Sequence, residues 1–250
     1  MICIGNSAFS SCKGITSITI PNSVTKIGDD VFYNCTNLES IILSNNISRI
    51  GVRLFDNCTG LSSVSIPNSV KEIGASAFYG CTGLTSITIP ENIMSIGSSA
   101  FSGCKGLTTI TIPDSVTSIA SSAFSGCIAM TSITLGTGIT RIEANTFAEF
   151  TALTEVTIPA TVTEIKENAF KNDSNLKTIY FGGTQEQWDA IKIEDGNIAL
   201  LRAKIVFVTP AVTSETIGDV DRDGKITASD ARLILRAAVG LEDRTTWFAA

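Results

Sequence analysis

Histidine is absent from all 250 residues. Without an imidazole, Ser-His-Asp and Cys-His catalysis are excluded, as are zinc sites that need a histidine ligand. Basic clusters are missing as well. The net charge is −6, from 18 Lys+Arg against 24 Asp+Glu, and no Lys/Arg run stands out, so nucleic acid and anionic membranes are poor partners. No apolar stretch approaches the roughly 20 residues that a spanning helix needs, and no membrane span is expected. Met1-Ile2-Cys3-Ile4-Gly5 has neither a basic start nor a long apolar run, so no signal peptide is legible. Because Ile4-Gly5 aligns with Ile27-Gly28, the chain reads as beginning in mid-repeat.

What is present is a period. Phe9, Phe32, Phe55, Phe78, Phe101, Phe124, Phe147 and Phe170 are spaced by 23 residues with no insertion or deletion. A period of this size marks a solenoid, in which one coil cannot bury its apolar face alone and stacking supplies the missing partner. The unit is clearest in Leu84-x-x-Ile87-x-Ile89-Pro90-x-x-Ile93-x-x-Ile96-Gly97-x-x-Ala100-Phe101-x-x-Cys104. Ile87 and Ile89 alternate with Ser86 and Thr88, which predicts a strand of three to five residues per coil, paired into one long parallel sheet. Pro90 ends the strand by removing a donor. Ile93 and Ile96 line the next side. Gly97 is expected to turn the chain with a positive φ. Ala100, Phe101 and Cys104 read as a short helical or 3₁₀ turn with Phe101 and Cys104 on one face.

Six of the seven cysteines join the same grid: Cys12, Cys35, Cys58, Cys81, Cys104 and Cys127. Two readings are open, a disulfide or metal ladder and a column of small buried hydrophobes. The column favours burial, because a metal needs converging ligands and these lie in a line. Phe150 takes the next slot and Asp173 the last. Cys3 is off the grid. The outward strand positions run from Ser17 to Tyr180, and thirteen of the sixteen are Ser or Thr. They form either a hydroxyl-dense recognition face or an ordinary wet sheet surface, since threonine favours strands. The candidate concave face comprises Thr88, Thr109, Thr111, Thr134, Thr157 and Tyr180.

The order L-x-x-L-x-L is related to the leucine-rich repeat. With Ala-Phe-x-x-Cys closing a 23-residue unit, residues 4 to about 181 resemble the BspA-like (treponemal-type) leucine-rich repeat family of bacterial surface proteins. That resemblance implies a β-rich, α+β solenoid: a right-handed leucine-rich repeat coil with one parallel sheet and roles in adhesion and protein binding. Beyond Phe170 the rhythm changes. Gln185 to Ile191 reads as a short helix with Thr184 as N-cap, followed by a turn at Asp195-Gly196-Asn197, Leu200 and Leu201, and a strand through Ile205, Val206 and Phe207. An array must cover its last open core, so residues 182–207 are assigned as a C-terminal cap of the 1–207 domain, with Trp188 in the cap core.

Residues 208–217 read as a polar linker, and 218–250 as a separate acidic segment. Asp219, Asp221 and Asp223 place hard carboxylate oxygens at alternate positions of a 12-residue calcium loop. Gly224 permits the sharp turn, Lys225 offers its backbone carbonyl, Thr227 acts through a water, and Asp230 closes the shell where a glutamate is usual. With the following Ala231-Arg232-Leu233-Ile234-Leu235-Arg236-Ala237-Ala238-Val239-Gly240, the segment resembles a type I dockerin repeat, an EF-hand-like α-helical module. The resemblance implies Ca2+ as cofactor and a cohesin module of a scaffoldin as partner. Ala228 and Ser229 occupy the loop positions that read the cohesin, assisted by Leu235 and Arg236. Only one loop is legible before the chain reaches Ala250, so the piece is expected to bind calcium and cohesin weakly.

The expectation is a secreted or cell-surface, monomeric, non-catalytic binding array, docked to a cellulosome-like polysaccharide-degrading complex. Host or plant-wall surface proteins or glycans are its expected partners. Two alternatives stand beside it: a fragment of a dockerin-bearing glycoside hydrolase, and a stand-alone surface adhesin. For the hydrolase, Glu143, Glu149, Glu164 and Glu167 are the carboxylates to examine.

Overall fold

The computed structural model describes residues 2–208. Over that span the chain winds as a parallel β-solenoid, with helix confined to its C-terminal end. The Ile-x-Ile segments pair as expected. Ser17–Thr19, Ser40–Ile42 and Ser63–Val64 form a three-stranded parallel sheet, and Thr109–Thr111, Ser132–Thr134, Glu155–Ile158, Thr178–Phe181 and Lys204–Phe207 a five-stranded one. Up to Thr178–Phe181 the pairing follows the 23-residue period without slippage, Ile110, Ile133, Val156 and Ile179 being consecutive partners, and the cap strand then pairs 26 residues on, Ile179 with Ile205. A one-residue slip would turn this buried row out to solvent, so burial fixes the register.

One sheet was expected, and the structure has a second parallel ladder. Arg49–Ile50, Glu72–Ile73, Ser95–Ile96 and Ser118–Ile119 pair in one group. Arg141–Ile142, Glu164–Ile165 and Lys192–Ile193 pair in another, and Ile2–Ile4 pairs with Val24–Ile27. Two-residue strands are too short for alternation to show, which is why Ile93 and Ile96 gave only a spacing of three. The first ladder is also briefer than expected, with strands of two to four residues and none assigned at Ser86–Thr88.

The third side is not a 3₁₀ turn. Two residues per coil, such as Asp30 (φ 60°) and Asn34 (φ 55°), are left-handed, and they bracket the phenylalanine. Left-handed residues break a helix but aim alternate N–H groups along the solenoid axis. The N–H groups of Asp30, Phe32 and Asn34 therefore donate to the carbonyls of Val52, Leu54 and Asp56 at 2.9, 3.0 and 2.7 Å. Between these inter-coil bonds, the Cys35 N–H closes a turn on the Phe32 carbonyl at 3.1 Å. Asn, Asp, Ser and Gly fill most of these sites because short polar chains and glycine tolerate the left-handed region.

Gly97 also departs from expectation. It is not among the glycines of positive φ, which are Gly80, Gly103, Gly126 and Gly196. A Cβ on Gly97 would lie 2.5 Å from the Ala75 nitrogen and 2.7 Å from the Gly74 carbonyl carbon. Here glycine permits two coils to touch backbone to backbone.

The core is continuous. From Phe32 to Phe170 all seven grid rings are fully buried, and Phe9, in the first coil, is half-buried. Neighbouring rings from Phe9 to Phe147 stack at 5.1 to 5.9 Å between centroids. Each such pair adds about 0.5–1.5 kcal/mol beyond its area burial. At the far end, α1 (Gln185–Asp189) starts with a capping box between Thr184 and Gln187 and sets Trp188 edge-on against Phe181, 5.2 Å away. A second short helix, α2 (Ile198–Arg202), occupies the stretch read only as Leu200 and Leu201. Leu200 is buried and Leu201 is 72% exposed.

Candidate functional site

The strand face carries the site candidates. Thr88, Thr109, Thr111 and Thr134 are exposed, whereas Thr157 and Tyr180 are half-buried. Thr111, Thr134, Thr157 and Tyr180 are direct register partners, so they form one row with a spacing of about 4.8 Å per coil. Thr88, Thr109 and Thr111 meet in a shallow groove of about 370 Å³ bounded by Glu91 and Pro113. A second groove of about 260 Å³ lies between Thr19, Asn22, Ile42, Asn45, Ser65 and Pro67. Ile42, one of the three outward strand positions that are neither Ser nor Thr, is 64% exposed on this otherwise hydroxyl-rich face. Both grooves follow from the repeat: strand hydroxyls make the floor, and the proline turn makes a low rim.

The glutamates do not assemble into an acid–base pair. Glu164 is hydrogen-bonded to Lys166 at 2.8 Å and Lys192 at 2.9 Å, and these hold its carboxyl down at about 2. Glu194 bonds the same Lys166 at 3.0 Å. Glu143 pairs with Arg141, Glu149 accepts from the Asn172 side chain, and Glu167 accepts from that of Asn168. A glycosidase acid must instead hold its proton near neutral pH. The ion pairs on the second ladder therefore read as surface cross-links between coils. Their sequence signal, alternating Glu and Lys or Arg at the strand positions of the last coils, was available but weak.

Cysteine behaves as a core residue. Cys35, Cys58, Cys81, Cys104 and Cys127 are buried and free of disulfides, and Cys12 is half-buried. Each of the five buried thiols donates to the carbonyl of the phenylalanine 26 residues earlier, at 3.0 to 3.2 Å. Burial pushes Cys58 and Cys127 up to about 12 and Cys81 and Cys104 well above the usual range, so they stay as unreactive thiols. Cys3 is exposed within Ile2–Ile4. Among the described residues, no three His, Cys, Asp or Glu side chains come together as a metal site.

Sequence reasoning missed Asn197. It is 2% exposed and closes the array: its Oδ1 accepts from the Phe170 N–H at 3.0 Å, and its Nδ2 donates to the carbonyls of Lys166 and Glu194 at 2.9 and 2.8 Å. The side chain thus replaces the carbonyl that a further coil would have supplied. The calcium-loop residues Asp219, Asp221, Asp223, Lys225, Thr227 and Asp230 lie outside the described residues, as do Ala228, Ser229, Leu235 and Arg236.

Comparison with known families agrees with this geometry. The model described as the BspA type leucine rich repeat region matches in six copies, over residues 1–93 and 71–191. The chain belongs to the BspA-type leucine-rich repeat family. Among solved structures, the leucine-rich repeat protein of T. pallidum is similar at TM-score 0.64 and 22% identity, covering 83% of this chain and 91% of that one. A leucine-rich repeat protein from Bacteroides ovatus aligns at TM-score 0.56 and 22% identity, over 88% of this chain and 69% of its own length. One from Eubacterium ventriosum gives 0.56 and 23%, over 81% and 63%. At these identities the likeness establishes the BspA-type coil as the fold. No curated protein matches the chain.

Proposed function

We propose that this BspA-type array is a non-catalytic, cell-surface binding scaffold that recognises surface proteins, in the manner of an adhesin, through its strand face. The observation that carries this reading is the unbroken register of hydroxyls from Thr111 through Thr134 to Thr157, beside two shallow grooves and no convergent acid–base pair among the described residues. A row of donors and acceptors repeating every coil suits an extended partner laid across the strands. Exposed Ile42 adds an apolar contact near the other end of the face.

The second part of the proposal concerns the tail. Asp219, Asp221, Asp223, Lys225, Thr227 and Asp230 hold Ca2+ in one loop. Ala228 and Ser229, with Leu235 and Arg236, engage a cohesin. Its support is the sequence pattern, and it makes the chain a docked binding subunit of a polysaccharide-degrading assembly. One experiment addresses both parts. Full-length chain is applied to immobilised host and plant-wall surface proteins, and to a type I cohesin with and without chelator. Thr109→Arg/Thr111→Arg/Thr134→Arg should abolish surface-protein retention while leaving chelator-sensitive cohesin binding intact. Retention unchanged by the triple substitution refutes the strand-face reading, and cohesin binding indifferent to chelator refutes the calcium reading.

A further inference from the structure

Asp173 occupies the cysteine column in the last full coil, yet it is 1% exposed. The five buried cysteines each donate to a phenylalanine carbonyl 26 residues back, and 26 residues before Asp173 is Phe147. In every earlier coil the phenylalanine carbonyl also closes a turn, accepting from the N–H three residues on, at 3.0 to 3.2 Å from Cys12 to Cys127. At Phe147 that turn is open: the Phe150 N–H donates instead to Asp173 Oδ1, at 2.8 Å. Two polar atoms are left over. Asp173 Oδ2 is buried and finds no partner among the described residues, and neither does the Phe147 carbonyl.

We propose that Asp173 carries its proton at neutral pH and bridges the opened turn, Oδ1 accepting from the Phe150 N–H and Oδ2–H donating to the Phe147 carbonyl. A protonated carboxyl has a donor and an acceptor side by side, which is what an opened peptide turn presents. An ionised one would set a buried negative charge against a carbonyl oxygen. The proton replaces the missing thiol and makes the end of the array a pH-sensitive lock.

The surroundings favour the neutral form. Burial is the main cause, with the like charge of Glu149 in the preceding coil adding to it and the Phe150 hydrogen bond opposing, and the carboxyl is pushed up to about 8. The cations near it are Lys171 on its own turn and Arg202 on α2, which line a cavity of about 360 Å³ beside it. An acid held above its unfolded value, about 3.9 for aspartate, gives stability that is fully present below that value and is lost as pH rises to the folded one. The window is therefore about pH 4 to 8.

The test is to measure the urea midpoint of the full chain from pH 4 to 9.5 for wild type and Asp173→Asn, with infrared spectra of both. The asparagine amide makes the same two hydrogen bonds at every pH. Its midpoint should pull ahead of wild type progressively up to about pH 8 and then level off. At neutral pH the wild type should show a protonated-carboxyl band that Asp173→Asn and Asp173→Cys both lack. A midpoint difference independent of pH overturns the proposal. So does a wild-type spectrum with no protonated carboxyl at neutral pH, and that reading holds even if neither variant folds.

Discussion

The coils from Cys35 to Cys127 and the two that follow them solve one packing problem differently. In the first group a glycine recurs before the turn until Ala120, and the thiol column is unbroken. Rings from Phe9 to Phe124 stack within 4 to 24° of parallel. In the second group Glu143 and Lys166 stand in the glycine column and join the ion-pair network, Phe150 and Asp173 take the thiol positions, and Phe147 tilts 42° against Phe170. Phe150 packs beside Phe147 at 60°. Yet the strand register is the same in both groups. The comparison shows that backbone ladders on three sides hold the period, while side chains at one position can change provided that coil length does not.

Removing a ring breaks the comparison most severely. Phe101→Ala, in a fully buried and doubly stacked position, should cost about 3–5 kcal/mol. Phe9→Ala, half-buried with one stacked neighbour, should cost clearly less. Urea denaturation of the two variants side by side checks this, and equal losses would mean that the rings are not one graded core. The next effect belongs to the cap. Asn197→Ala leaves the Phe170 N–H and the Lys166 carbonyl without their partner, a loss of about 1–3 kcal/mol. Hydrogen exchange should then accelerate at Asn168 to Phe170 and stay unchanged around Phe101. Uniform acceleration along the array would show that the cap is not a local closure.

The 23-residue spacing of the phenylalanines carried most of the fold, because a repeated large apolar residue has one physical explanation, a stacked core. The strand at Ile110 was equally plain from its alternation. The second ladder at Ile96 was hidden because two residues cannot display a period. The turn ladder was hidden because Ser7, Asp30 and Arg53 share a left-handed backbone but no common side-chain chemistry. At the candidate face, the hydroxyl row from Thr111 to Thr157 was readable from alternation, and its grooves were not, since their rims depend on how the turn at Pro113 stands over the strand. Asn197 escaped because its role arises from where the next coil is missing. Asp173 was visible as a departure from the column, but its meaning required seeing the open turn at Phe147.

The central claim is that a fixed coil length, held by backbone ladders, defines this molecule. Excising residues 82–104 removes one whole period and joins Cys81 to Lys105 in register, whereas excising 82–103 removes one residue fewer. Thermal unfolding followed by circular dichroism should show a cooperative, β-rich transition for the 23-residue deletion and a collapsed, broad one for the 22-residue deletion. Two deletions that unfold alike would contradict the account.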